Sequence, residues 1–113
     1  MGPYSVATES NGLVFIAGQV ALDPVTNEPL HGDITAQARR VMENLKLILD
    51  GVGLGFDDVV KTNVYLTDME HYAPVNEVYG DYFSEGQFPA RAAFAVAGLP
   101  GGFLVEIEAI AAR

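Results

Sequence analysis

The chain has 113 residues, a length that predicts a single domain over residues 1–113 and excludes two. Half of the residues are hydrophobic and only 19% are charged, so we expect a folded core rather than a disordered chain. Fifteen acidic residues outnumber six basic ones and give a formal net charge of -9, which opposes binding to nucleic acid or to an anionic membrane.

The sequence predicts neither a secretory signal nor a membrane span. Its start, Met1-Gly2-Pro3-Tyr4, has neither the basic n-region nor the apolar h-region of a secretory signal. The uninterrupted apolar runs are far shorter than a membrane span. There is no cysteine, which excludes disulfides, thiol nucleophiles and cysteine-ligated metals. We therefore expect a cytoplasmic protein without a membrane partner.

Two strands are predicted before the first helix. Residues 12–17 form an apolar run that is broken by Gly18, and residues 20–22 predict a second short strand. The stretch 23–32 is rich in turn-forming residues and leads to Asp33, which can cap a helix.

Two amphipathic helices are predicted. The first begins at Ile34 and ends at Gly51 and Gly53, and its apolar residues recur at spacings of three and four on one side. The second is predicted over residues 70–85, where a similar stripe contains Tyr72, Val75, Val78, Tyr79, Tyr82 and Phe83. Asn76 lies at the edge of this stripe, so we expect its amide to be half buried.

Three further strands are predicted over residues 59–66, 92–97 and 104–111. The two helices suffice to cover only one face of the resulting five-stranded sheet. On the last strand Glu106 and Glu108 share a face with apolar residues, and on the preceding strand Arg91 lies among alanines. We infer one helix layer on one face of a mixed sheet, whose other face is either solvated or buried by another subunit. The small and polar residues among the apolar ones favour a subunit contact.

Few residues suggest chemistry on their own. His31 and His71 have no acidic or histidine partners at metal-ligand spacing, so we interpret them as surface residues and predict no metal site. The serines lack the sequence context of an activated nucleophile, and no glycine-rich loop precedes a helix in a phosphate-binding pattern.

Arg91 and Glu106 each allow two interpretations. Arg91 is either an edge arginine paired with an acid or a guanidinium that binds a substrate carboxylate through two hydrogen bonds. Glu106 is either an ordinary outward residue or, if its face is a subunit interface, a carboxylate that orients or deprotonates water. The residue pattern alone leaves both choices open.

Six segments of the chain occur in the order of a known family. They are Gly2-Pro3-Tyr4-Ser5, Ala17-Gly18-Gln19, Val59-Val60-Lys61-Thr62, the stretch 75–83, Phe88-Pro89-Ala90-Arg91, and Leu99-Pro100 followed by the stretch 105–111. Each segment alone is weak evidence for a family, but the six segments in this order are a specific pattern. The chain resembles the reactive intermediate/imine deaminase (Rid, YjgF-like) family over essentially its whole length.

The resemblance implies a chorismate-mutase-like α+β fold, a mixed sheet with two helices on one face, and a homotrimer with clefts between subunits. It implies hydrolytic deamination of 2-imino or enamino acids, such as 2-iminobutanoate and 2-iminopropanoate, to 2-keto acids and ammonia, without a metal or organic cofactor. By correspondence, Arg91 holds the substrate carboxylate and Glu106 acts on the hydrolytic water. The same correspondence assigns to the substrate-binding cleft Tyr4, Gly18, Asn76 and Ala93.

Departures from the family pattern leave other functions open. Ala17 stands where many family members have serine, so one hydroxyl is missing. Ala93 stands where many have cysteine, which changes the side chain but keeps the backbone carbonyl at this position. Family members also usually carry a further segment, including a first strand, ahead of the position where this sequence has Met1. The main alternative is a non-enzymatic protein that binds or senses a keto acid or another small carboxylate in the same cleft. A protein-interaction role would use the surface instead.

Overall fold

The computed structural model describes residues 2–113 and contains, in chain order, β1 (Ala7–Ser10), β2 (Leu13–Gln19), α1 (Ile34–Gly51), β3 (Val59–Leu66), α2 (Tyr72–Gly80), β4 (Ala90–Ala95) and β5 (Val105–Ala112). Single turns of 3-10 helix lie at Phe56–Asp58, Met69–His71 and Pro100–Gly102. The strands form one mixed sheet in the order β1-β2-β5-β3-β4, in which β3 and β4 pair in parallel and the other neighbours pair antiparallel.

β1 and β2 form a hairpin that the apolar patterning does not predict. Asn11 and Gly12 connect the two strands with φ angles of 53° and 79°, the left-handed conformation that a two-residue hairpin turn requires. β1 is largely exposed and polar, so its stability depends on pairing with β2. The Asn-Gly pair is the sequence signal that identifies this hairpin.

The predicted strand at residues 20–22 is wrong. The chain leaves the sheet here, and Leu22 makes an isolated bridge with Pro29. Asn44 on α1 donates from Nδ2 to the carbonyl of Val20 at 3.2 Å and to that of Leu22 at 2.8 Å. A helix side chain thus satisfies the backbone groups that a neighbouring strand would otherwise pair.

α1 confirms the predicted first helix. Asp33 caps it by accepting a hydrogen bond from the backbone N–H of Ala36 at 2.8 Å, and Gly53, with a φ of 76°, turns the chain away after its end. Its apolar stripe packs against the sheet through Ala38, Val41, Met42, Leu45 and Leu49. Within residues 2–113 no helix is long and apolar enough to cross a bilayer.

α2 is shorter than the predicted second helix at both ends. Met69–His71 form a separate 3-10 turn before it, and the helix closes at Gly80. Glycine is a poor helix former, and the N–H groups of Asp81 and Tyr82 donate to carbonyls three residues earlier, which tightens the last turn. Tyr82 and Phe83 nevertheless pack against the core, as the stripe predicts.

Both helices lie on one face of the sheet, as predicted. β5 alternates strictly, so that every second residue from Val105 to Ala111 is buried while Glu106 and Glu108 lie on the opposite, uncovered face. The uncovered face also carries apolar side chains that a single chain leaves exposed, namely Leu13, Phe15 and Phe94. The homotrimer that would cover this face stays a prediction.

Candidate functional site

The residues predicted for a site fall into two groups on different parts of the chain. The acidic half-site consists of Tyr4, Gly18 and Glu106, and the cationic half-site consists of Asn76, Arg91 and Ala93. The acidic half-site lines a cavity of about 580 Å³ beside the uncovered face of the sheet. Asn76 and Arg91 line another cavity, of about 310 Å³, beside α2.

The carboxylate of Glu106 lies directly against Gly18. β5 directs the Glu106 side chain to the uncovered face, and β2 passes beside it with a register shift between Ile16 and Gln19. A Cβ atom on Gly18 would lie 2.5 Å from Oε2 and 2.7 Å from Cδ of Glu106. Any side chain at position 18 would therefore displace the Glu106 carboxylate from this position.

Glu106 holds its proton more tightly than an ordinary glutamate. Partial burial raises the pKa of Glu106, and the carboxylate of Glu108 on the same face raises it further. Glu108 is itself held by Asn63, whose Nδ2 donates to Oε1 at 2.8 Å. A carboxyl group with a raised pKa is suited to take a proton from water and to return it later in the same reaction.

The rest of the acidic half-site cavity is mainly apolar. Ala17, Val20 and Phe103 line it together with Tyr4. The Tyr4 side chain is 61% exposed in the single chain, so little within one subunit fixes its position. Ala17 contributes a methyl group at the position where the family pattern has a hydroxyl. Among the described residues that line this cavity, the ionisable groups are the Glu106 carboxyl and the Tyr4 phenol.

Aromatic rings hold Arg91 in the cationic half-site. Arg91 pairs in register with the buried Thr62 of β3, so its side chain lies on the helix-covered side of the sheet, next to α2. Its guanidinium carbon lies 4.9 Å from the ring centroid of Tyr79 and 5.6 Å from that of Tyr72. Nη2 also donates to the Tyr72 hydroxyl at 3.3 Å. In the described part of the chain no ion pair involves Arg91, so the interpretation as an ion-paired arginine is not realised within one subunit.

Asn76 places an unsatisfied acceptor beside Arg91. The residue is half-buried, as predicted, and its Oδ1 atom is buried without a hydrogen-bond partner among residues 2–113. Buried amide oxygens are normally paired, so this one lacks its usual partner within the described chain. Phe88 and Pro89 complete the cavity. Ala93 packs against the core and leaves its backbone as its only polar part.

The two half-sites do not meet within one chain. Glu106 lies on the uncovered face of β5, the central strand. Arg91 lies on the helix-covered side of β4, which is an edge strand. The sheet therefore stands between the carboxylate and the guanidinium.

The histidines lie outside both half-sites. His31 is exposed and stacks on Phe103 with ring centroids 5.3 Å apart, and His71 ends the 3-10 turn before α2. Among residues 2–113 no three histidine, aspartate or glutamate side chains are grouped as metal ligands.

Sequence reasoning missed the residues that support Arg91. Tyr72 and Tyr79 are predicted only as members of the apolar stripe, and Thr62 only as a strand residue. The two tyrosines are seven residues apart, about two helical turns, which places both on one side of α2. That spacing indicates that the two rings can contact the same side chain. The sequence does not show that this side chain is Arg91, because its position depends on the parallel pairing of β3 with β4.

Comparison with known proteins identifies the family. All of residues 1–113 match the family model described as Endoribonuclease L-PSP. The 2-iminobutanoate/2-iminopropanoate deaminase of Mus musculus is 46% identical over 113 residues, which cover 100% of this chain and 83% of the relative. The crystal structure of RidA from an Antarctic Psychrobacter species has a TM-score of 0.93 and 46% identity, with 99% of this chain and 89% of that chain covered.

A further solved structure contains a bound ligand. Escherichia coli TdcF with bound serine has a TM-score of 0.92 and 40% identity, and the match covers 100% of this chain and 90% of that chain. The chain belongs to the Rid (YjgF-like) family. The predicted resemblance is confirmed, as is the α+β fold with two helices on one face of a mixed sheet.

Proposed function

We propose that the protein hydrolyses 2-imino acids, with 2-iminobutanoate and 2-iminopropanoate as substrates, to 2-keto acids and ammonia. The observation that carries the proposal is the guanidinium of Arg91, which has no acidic partner in the described chain and lines a cavity together with Asn76. A free guanidinium binds a carboxylate. A 2-imino acid carries such a carboxylate next to its imine carbon.

The reaction needs few protein groups, because the imine carbon is already electrophilic. Arg91 binds the carboxylate through two N–H donors and so fixes the C2 carbon. Glu106 accepts a proton from a water molecule whose oxygen bonds to C2, and it passes this proton to the imine nitrogen as the C=N bond becomes single, which gives a carbinolamine. Glu106 then takes the proton of the new hydroxyl and delivers it to the nitrogen as the C–N bond breaks, which leaves a keto acid and ammonia. No metal or organic cofactor enters these steps.

We propose that the site forms between subunits of a homotrimer. Arg91 and Glu106 are separated by the sheet within one chain, so the proposed chemistry requires Arg91 of one subunit and Glu106 of a neighbour. The exposed apolar side chains on the uncovered face, among them Phe15 and Phe94, supply a surface for such packing. A cyclic arrangement uses the same two surfaces at every contact.

The relatives support a small-molecule substrate. The mouse relative is named for deamination of these imino acids, and the TdcF structure holds serine, an amino acid with a free carboxylate. The family model is described as an endoribonuclease, but the net charge of -9 here opposes contact with RNA phosphates. A small carboxylate is the better match to one free arginine.

Ala17 favours a second candidate function, the binding or sensing of a keto acid without turnover. The missing hydroxyl removes one polar group from the acidic half-site cavity, and binding through Arg91 does not depend on it. The experiment that separates the two functions supplies the imine continuously from serine or threonine by a pyridoxal-phosphate dehydratase. Keto-acid release faster than spontaneous hydrolysis, at catalytic amounts of protein, supports the enzyme, whereas saturable keto-acid binding without acceleration supports the sensor.

A mixing experiment tests the shared site. Arg91→Ala and Glu106→Gln are each expected to be much slower than wild type on their own. If neighbouring subunits share the site, mixed trimers regain one intact site, and random mixing at equal amounts restores about one quarter of wild-type activity. No recovery after unfolding and co-refolding of the two variants would refute the shared site, as would a monomer in sedimentation equilibrium.

A further inference from the structure

We propose that Tyr79 and Thr62 are positioning residues for Arg91, with the Tyr79 ring as the platform of the guanidinium and Thr62 as the anchor that fixes this ring. The inference rests on the proposed function, since it concerns how the carboxylate-binding group is held. It adds two residues that do not themselves contact the substrate carboxylate in the proposed mechanism.

The Tyr79 ring lies against the Arg91 guanidinium. The Arg91 guanidinium carbon lies 4.9 Å from the Tyr79 ring centroid, closer than to any other ring within residues 2–113. An aromatic ring attracts a guanidinium through its face and leaves the in-plane N–H groups free. A salt bridge would occupy those same donors. Stacking therefore holds Arg91 while its donors remain available to a carboxylate.

A hydrogen bond to Thr62 anchors the Tyr79 ring. The hydroxyls of Tyr79 and Thr62 share a hydrogen bond of 2.7 Å, and the two residues are only 5% and 2% exposed. Thr62 also pairs in register with Arg91 on the neighbouring strand. Burial raises the pKa of Tyr79, which keeps the phenol neutral and able to share this bond. The Tyr79 side chain is thus held at its hydroxyl by Thr62 and contacts Arg91 through its ring.

Tyr72 is a weaker second contact. Its ring centroid is 5.6 Å from the guanidinium carbon, its hydroxyl accepts from Nη2 at 3.3 Å, and the residue is 39% exposed. Solvent competes with this contact, and no described side chain is bonded to the Tyr72 hydroxyl other than Arg91. We therefore expect Tyr79, and not Tyr72, to determine the orientation of the guanidinium.

The chain offers a matched control in Tyr82. Arg39 lies over the Tyr82 ring with its guanidinium carbon 5.6 Å from the centroid, but Arg39 is also paired with Asp81 at 3.2 Å and is exposed. Tyr82 lines neither half-site cavity. Tyr82→Leu therefore removes a tyrosine from beneath an arginine without touching the carboxylate-binding group.

The experiment measures binding of 2-oxobutanoate by calorimetry and, separately, KM and kcat for imine hydrolysis. Tyr79→Leu removes the platform, and we expect both Kd and KM to rise roughly 3- to 30-fold, the range of a cation–π contact from exposed to desolvated. Tyr79→Phe keeps the ring but loses the bond to Thr62, so its Kd should lie between that of wild type and that of Tyr79→Leu. Tyr72→Phe removes part of the weaker contact and should raise Kd less than Tyr79→Leu does, and Tyr82→Leu should leave Kd within about twofold.

A double-mutant cycle isolates the anchor and covers the case in which Tyr79→Leu fails to fold. Thr62→Val and Tyr79→Phe break the same hydrogen bond, so the double variant should bind 2-oxobutanoate no more weakly than the weaker single variant. A multiplicative loss would overturn the anchoring role of Thr62. If Tyr79→Phe and Thr62→Val each lower the melting temperature but leave Kd unchanged, the hydrogen bond between Tyr79 and Thr62 is purely structural.

The outcomes separate this inference from the proposed function. If the wild-type protein binds 2-oxobutanoate but does not accelerate imine hydrolysis, the proposed activity fails while the Kd series still tests the platform. If Tyr79→Leu folds and binds as wild type, the platform is refuted whatever the activity. If the wild-type protein neither binds nor hydrolyses, Arg91 holds no such carboxylate and both proposals are overturned.

Discussion

Gly18→Ala is the most direct test of whether the position of Glu106 matters for hydrolysis. The added methyl group would lie 2.5 Å from Oε2 of Glu106, whereas ordinary van der Waals contact begins at 3.4 Å. The glutamate side chain is flexible and can rotate away, so the backbone keeps its path while the carboxylate moves. A displacement of a catalytic group by about 1 Å lowers the reaction rate on the order of 100-fold. We therefore expect kcat/KM to fall about 100-fold.

The assay is the dehydratase-coupled release of keto acid, measured with the melting temperature on the same preparation. The control is Gly51→Ala at the end of α1, where an added Cβ meets nothing within 4 Å and φ is not positive. Alanine is the better helix former by up to about 1 kcal/mol, so this control should be as stable as wild type or slightly more so, with full activity.

Two results would refute the reasoning. Activity of Gly18→Ala within about twofold of wild type would show that the 2.5 Å approach to Glu106 has no catalytic importance. The second result concerns the double variant Gly18→Ala/Glu106→Gln, which should be no slower than Glu106→Gln alone. A further large loss in the double variant would show that Gly18 acts by another route.

Three further predictions concern charge and stability. Arg91→Lys keeps the charge but loses the planar pair of donors, so kcat/KM should fall roughly 10- to 150-fold, with little change in melting temperature because the side chain is partly exposed. Glu106→Gln should slow hydrolysis and should also change the pH dependence of stability. Because the pKa of Glu106 is raised in the folded state, the protonated carboxyl stabilises the fold. This stabilisation is complete below the pKa of the unfolded chain, near 4.5, and is lost as the pH rises through the pKa of the folded state. The melting temperature of Glu106→Gln relative to wild type should therefore be higher at about pH 8 than at about pH 4. Asp33→Ala removes the cap bond to Ala36 and should cost about 1 kcal/mol of unfolding free energy, measured by denaturant titration, with activity unchanged.

Each of these predictions has a contrary result. Full activity in Arg91→Lys would mean that the arginine is not the carboxylate anchor, and collapse of its stability would make it a structural residue. A pH-independent difference in melting temperature between wild type and Glu106→Gln would contradict the burial of the carboxylate beside Glu108. Unchanged unfolding free energy in Asp33→Ala would mean that solvent replaces the cap.

The predicted and observed folds differ where tertiary contacts decide local structure. α1 follows from the Asp33 cap and an uninterrupted stripe, both of which are local properties. β1 is polar, so apolar patterning misses it, although the Asn11-Gly12 turn marks its hairpin. The segment 20–22 is apolar enough for a strand, and only the distant side chain of Asn44 explains why it is not one.

The candidate site was predictable by residue type but not by location. Arg91 is unusual among alanines, and Glu106 is unusual on an apolar strand, so the family pattern and simple chemistry select both. Their placement on opposite sides of the sheet depends on the parallel pairing of β3 with β4, which sequence spacing does not specify. The close approach of Glu106 to Gly18 likewise depends on the register of β2 against β5.

The place of β5 in the sheet has a consequence for biosynthesis. β5 lies between β2 and β3, yet it is the latest of the five strands in chain order. In a nascent chain that has reached residue 104, no native strand pairing can therefore join β1 and β2 to β3 and β4. Their apolar edges stay open to aggregation until Val105–Ala112 leave the ribosome and join them. Because Glu106 belongs to that strand, the completed sheet and the carboxylate appear in the same event, and no earlier translation intermediate carries the acidic half-site.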